Sequence, residues 1–151
     1  MNTFKKILIL FSLSTLFISC KPKQEIVEVT DTYEVVYKNQ IGGKKEKSHQ
    51  IIKNYEDFNV LISELNIDEE EYERLLKIDL EKHDLLVCYL GEKSTGGYDI
   101  EVEDVKFTKT AAEIIIKQII PEKNAMVTMS FTSPYLFLSL PKNRTISVNN
   151  Y

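Results

Sequence analysis

Residues Asp84 to Glu103 read DLLVCYLGEKSTGGYDIEVE, and the way this stretch is laid out decides the architecture. An unbroken apolar run from Leu85 to Leu90 ends at Gly91. The polar residues Glu92, Lys93, Ser94 and Thr95 follow, then Gly96 and Gly97. Beyond them Tyr98, Ile100 and Val102 alternate with Asp99, Glu101 and Glu103. Alternation with period 2 is the mark of a strand with one wet face, and a solid apolar run suits a strand buried more deeply. Two such runs joined by a glycine-bearing loop predict a β-hairpin. Three of the chain's five glycines sit in this one connection, which points to a loop of prescribed shape rather than a plain solvated link. The simpler reading of Gly96-Gly97 is that the pair only closes a tight bend.

Outward from this stretch, the pattern predicts strands more often than helices. Thr32 to Tyr37 alternates as a first strand, and Asn39 to Lys47 reads as an exposed, lysine-rich loop. Asn54 is placed to cap a helix carrying Phe58, Leu61, Ile62 and Leu65 on one face, with Asp57 completing a capping box. A shorter helix is expected over Asp68 to Leu76, where Glu69, Glu70 and Glu71 suit the positive N-terminal end. These acids lack the alternating ligands and central glycine of a calcium loop. Ala111 to Ile120, Ala125 to Phe131 and Tyr135 to Leu140 read as strands, and Ile146 and Val148 suggest a short terminal one. The expected fold is α+β and mainly antiparallel β, a sandwich or partly closed barrel with one or two short helices inserted after the first strand. Leu85, Val87, Tyr98, Ile100, Ile115, Val127, Met129 and Leu138 are the expected inward residues.

At the N-terminus, Lys5 and Lys6 precede an apolar segment from Ile7 to Ile18 that is too short for a permanent membrane span. Ser19-Cys20 closes it as in a lipobox. The expected organisation is a lipoprotein signal peptide at 1–19, a lipidated Cys20 and polar tether at 20–31, and one domain at 32–151. Acyl chains on Cys20 would hold that domain on a bacterial membrane, outside the cytoplasm. Signal cleavage removes two of the 19 basic residues and none of the 23 acidic ones, leaving a surface unsuited to nucleic acid. With Cys20 lipidated, Cys88 is the only other cysteine, so no internal disulfide can form. It lies in the apolar run, where a cysteine acts as a small hydrophobe. His49 and His83 have no companions at metal-site spacing. Ser94 has no strand-to-helix elbow of the kind that activates a serine nucleophile. No catalytic residue, metal or cofactor is therefore expected.

The stretch LLVCYLGEKSTGGYDIEVEDV, followed by TSPYLFLSLPK at residues 132 to 142, resembles the C-terminal domain of the protease complex subunit PrcB family, most strongly over 85–142. The resemblance rests on Gly91, on Thr95-Gly96-Gly97-Tyr98, on Ser133-Pro134 and on Pro141. It implies a noncatalytic cell-envelope lipoprotein that binds a protein partner, such as a subunit stabilising an extracytoplasmic protease. The contact residues it suggests are Ser94, Thr95, Gly96, Gly97, Tyr98, Ser133, Pro134 and Tyr135. The tetrad is also similar to the loop of chagasin-type cysteine protease inhibitors, although Glu92-Lys93-Ser94 stands where that loop has asparagine and proline. A protease inhibitor, and a structural or small-ligand-binding envelope lipoprotein, stay open as alternatives. Whether Tyr98 points to core or solvent is not decided by the sequence.

Overall fold

In the computed structural model, which describes residues 32–65 and 67–150, the run from Leu85 to Leu90 is buried at every position. The expected signal peptide at 1–19 and tether at 20–31 fall outside the described residues. The buried run belongs to a strand with an apolar layer on each side. In chain order the elements are β1 (Glu34–Asn39), β2 (Ser48–Ile52), α1 (Tyr55–Leu65), α2 (Glu69–Leu75), β3 (His83–Tyr89), β4 (Asp99–Phe107), β5 (Ala111–Ile119), β6 (Tyr135–Pro141) and β7 (Thr145–Asn149). They form an α+β fold dominated by antiparallel sheets in a sandwich-like arrangement. One sheet has the order β1-β6-β3-β2 and the other β4-β5-β7. All neighbouring strands run antiparallel except β5 and β7, which are parallel.

The side-chain period of 2 divides β3 and β6 between two cores. Leu85, Val87, Tyr89, Tyr135 and Phe137 point to one side, where Phe58, Leu61, Ile62 and Leu65 of α1 and Leu75 of α2 cover them. Leu86, Cys88, Leu90, Leu136, Leu138 and Leu140 point to the other side and pack on Ile100, Ala112, Ile114 and Ile116 of the second sheet. A strand covered on both faces has no wet position, which is why neither β3 nor β6 alternates.

Local chemistry sets α1 as expected. Asn54 Oδ1 accepts from the Asp57 N–H at 2.8 Å while Asn54 Nδ2 donates to Asp57 Oδ2 at 2.8 Å, a reciprocal cap built with a short acid. Asp68 caps α2 by accepting from the Glu71 N–H at 3.0 Å.

Several sequence expectations are corrected. The runs around Gly91 to Gly97 do not form a hairpin: β3 pairs with β2 and β6, β4 pairs with β5, and the connection crosses from one sheet to the other. A strand absent from the sequence reading, β2, lies between β1 and the helices and pairs with the edge of β3. Residues 125–131 form no strand. The strands they link, β5 and β6, already have partners on both sides, so no adjacent edge is left for pairing. Met129 is accordingly exposed and Val127 only half-buried. On β5 the inward residues are Ile114 and Ile116, with Ile115 on the opposite face. In β1, Val35 pairs with Leu138 and Tyr37 with Phe137, so Val36 is an extra residue. This bulge leaves Tyr33 and Val35 exposed and puts Val36 and Tyr37 on the first core.

Asp84 stands at the start of the apolar run with 2 % of its surface exposed, and its Oδ1 has no hydrogen-bond partner. Burial pushes its carboxyl above the ordinary value, partly offset by the charges of Lys53 and Lys142. The folded protein therefore holds this proton more tightly than the unfolded chain. The resulting stability is fully present below the ordinary aspartate pKa and is lost as pH rises through the folded one. Asp84→Asn is expected to unfold at higher temperature than the parent at pH 7, by the equivalent of about 1 kcal/mol. The gap should close toward pH 3, as thermal denaturation at both pH values would show.

Candidate functional site

The two cores meet the solvent at one end of the sandwich, where three connections come together: 40–47 between β1 and β2, 90–98 between β3 and β4, and 120–134 between β5 and β6. Backbone hydrogen bonds tie them to one another. The Lys93 N–H donates to Thr132 O at 2.7 Å and the Thr132 N–H returns to Lys93 O at 3.0 Å, a single β-bridge. The Gly96 N–H donates to Thr128 O at 2.9 Å, and Thr132 Oγ1 donates to Thr95 O at 2.9 Å. Ser133 locks the third loop to the first: its N–H donates to Gln40 O at 2.9 Å, its carbonyl accepts from the Gly43 N–H at 3.1 Å and its Oγ accepts from the Gly42 N–H at 3.1 Å. The Glu92 N–H donates to Lys45 O at 2.9 Å and joins the first loop to the second. Nearby, Asp99 at the head of β4 accepts from Lys38 Nζ and from Gln40 Nε2 at 2.8 Å, a further tie between the two sheets.

Glycine is required at two of these contacts. Gly97 has φ +83° and faces Pro121 and Val127, so a side chain there would be strained and would meet Val127 Cγ1 at 2.8 Å. At Gly43 a Cβ would lie 2.3 Å from Ser133 O, a backbone atom that cannot swing aside. The tight-bend reading of Gly96-Gly97 is thus too weak, because the pair also seats the third loop.

The residues singled out by sequence fall into two groups. Ser94 and Gly97 are exposed, while Thr95, Tyr98 and Ser133 are half-buried. Tyr98 packs on the rim of the second core, and Lys93 Nζ lies 5.7 Å from its ring centre, so the ring serves core and surface together. Gly96 and Pro134 are buried. Tyr135 is 1 % exposed, stacked on Tyr89 with ring centres 6.0 Å apart and tilted against Tyr37 and Phe137. Burial, with help from the Tyr37 hydroxyl, pushes its phenol well above the ordinary value, so it stays neutral. Tyr135 is therefore a core residue that supports the loops from below and not a surface contact as the sequence reading had it.

Sequence reasoning missed the most exposed apolar side chains at this end. Met126 is fully exposed, Met129 is 90 % exposed and Phe131 67 % exposed, and Ile120 also faces solvent. The available signal was the second face of the supposed strand: Met126 breaks the apolar-polar alternation, and prolines stand at 121 and 134. Among the described residues, no group of three or more His, Cys, Asp or Glu side chains is arranged to hold a metal ion. His83 lies at the end of β3 away from the loops, with Nδ1 3.3 Å from Asp79 O. A separate open groove of about 950 Å³ runs along β1, lined by residues that include Tyr33, Val35, Arg74, Lys77, Asp79 and His83.

No curated protein and no solved structure matches the chain. Residues 85–141 match the family model described as PrcB C-terminal. The match begins at the first buried leucine of β3 and stops at the last residue of β6. A PrcB C-terminal-like domain is therefore present in the part of the chain that supplies the whole of the second and third loops.

Proposed function

We propose that this protein is a noncatalytic cell-envelope lipoprotein, anchored through lipid on Cys20, whose soluble part at 32–151 binds a protein partner in a protease complex. The observation that carries the reading is the hydrogen-bonded cluster of loops at one end of the sandwich. Seven backbone bonds among the loops prescribe their shape, as expected for a contact surface that must be preorganised. The family match over residues 85–141 supports the link to a protease complex. Ser94, Thr95, Gly97 and Tyr98 are the contact residues of the second loop, with Ser133 holding the first and third in place. Among the described residues no helix is long and apolar enough to cross a membrane. The open groove along β1 favours the alternative of a small-ligand-binding lipoprotein; its mixed polar and apolar lining lacks the enclosure typical of small-molecule sites.

Three outcomes are expected. Recovery of a protease or protease-associated protein from envelope extracts should fall about tenfold when Ser94→Arg and Thr95→Ala are combined, with no change in melting temperature. Equal recovery by the parent and the variant would sink the loop as the binding site, and a protease fully active when free but inhibited in the complex would replace the stabiliser role with an inhibitory one. Cys20→Ala should move the chain from the membrane pellet to the aqueous phase in detergent partitioning. Gly43→Ala should lower stability by about 1–3 kcal/mol in urea unfolding, because the loop must move away from Ser133 O.

A further inference from the structure

The third loop has the composition of a strand but pairs with none beyond the single bridge at Thr132; its backbone is tied to the neighbouring loops while several of its apolar side chains are exposed. Pro121 and Val127 rest against Gly97, Thr128 O accepts from the Gly96 N–H, and Thr132 is bridged to Lys93. Between and beyond these ties the side chains of Met126, Met129 and Phe131 stand in solvent. Apolar side chains scattered singly over a surface need no explanation, but these three occur within six residues on a segment whose backbone is held. Methionine adapts its shape to an irregular apolar surface and an aromatic ring supplies large rigid contact area, and both are enriched at the buried centres of protein interfaces.

Charge identifies the kind of partner. Around this segment the three loops carry Lys44, Lys45, Lys47, Lys93 and Lys123 against Glu46, Glu92 and Glu122, whereas the chain as a whole carries 19 basic residues against 23 acidic ones. The three loops thus carry a net positive charge, with exposed apolar side chains in the third, on an otherwise acidic molecule. Resting on the loop-binding reading above, we propose that Met126, Met129 and Phe131 are the anchors of the interface and enter an apolar cleft of the partner protein whose rim is lined with carboxylates. A second copy of this chain fits poorly, because two loop ends of net positive charge would face each other. A lipid surface fits poorly as well: the three loops together carry three glutamates among their five lysines, and the chain contains no tryptophan.

The test uses p-benzoylphenylalanine placed singly at Met126, Met129, Ser94 and, as a control on α1, Val60, in the full-length chain in the cells that normally make it. Photoadducts are identified by mass spectrometry. The expected result is one and the same partner protein from positions 126 and 129 and none from position 60. Its cross-linked peptide should be apolar and flanked by Asp or Glu. With that partner purified, Met126→Ser/Met129→Ser/Phe131→Ser should bind about tenfold or more weakly at unchanged melting temperature. Lys93→Glu/Lys123→Glu should weaken binding and reduce its dependence on salt. Adducts to a second copy of this chain, adducts to phospholipid, or a cross-linked peptide without acidic flanks would overturn the proposal. Adducts to a partner from position 94 alone would overturn it while leaving the loop-binding function standing, and silence from 94, 126 and 129 together would remove both.

Discussion

Everything in this fold depends on two strands being buried on both faces. β3 and β6 lie side by side at the centre of the four-stranded sheet, and each must feed a helical core with its odd residues and an inter-sheet core with its even ones. A slip of one residue would exchange the two sets and send Tyr89, Tyr135 and Phe137 into the space filled by Cys88, Leu136 and Leu138. The register is therefore fixed by volume as well as by hydrogen bonds. The buried polar residues on these strands, Asp84 and Ser139, both lie toward the end of the pair away from the loops. Cys88 fits because a thiol in an apolar layer behaves as a compact hydrophobe.

The consequences reach the loop end. Because Leu90 still lies in the inter-sheet core, the chain leaves β3 at a fixed point and must cross to β4 within the eight residues up to Tyr98. That crossing brings the Thr95-Gly96-Gly97-Tyr98 segment against the return path from β5 to β6. The Ser133-Pro134 pair at the end of that path is placed by Tyr135, one of the ring stack below. The surface loops thus inherit their positions from the aromatic residues of the first core, and the stiffness of the loop cluster is a property of the sheet beneath it.

How much of this was legible in the sequence depends on the range of the contact involved. The α1 cap was readable because Asn54 and Asp57 are three residues apart and their bonding is local. The depth of Leu85 to Leu90 was readable too, but its pairing was not: a solid apolar run states that both faces are covered without naming the neighbours, so β4 was wrongly assigned as the partner. In β4 the inward residues switch from Ile100 and Val102 to Val105 and Phe107, a change of parity that a bulge at Glu103 absorbs. The sequence contains that change, although it reads equally well as two separate strands. At the candidate site, the glycine tetrad was visible, while the Ser133 contacts to Gln40, Gly42 and Gly43 span some 90 residues and leave no local trace. The 125–131 segment was misread because alternation describes spacing along a chain and says nothing about whether an edge is available to receive it.

The place of β6 in the sheet has a consequence for the order of assembly. β1 and β3 flank β6 and do not touch each other as neighbours, so the sheet has a gap at its centre until residues 135–141 arrive. These residues follow the other three strands of that sheet in chain order. Until then β1 has no strand partner, β3 has only β2 along one edge, and both apolar layers lack the half that β6 provides. Such a topology, rich in contacts between distant residues, closes late and slowly. However early the other strands form, the four-stranded sheet closes only when the segment after β5 folds back between β1 and β3.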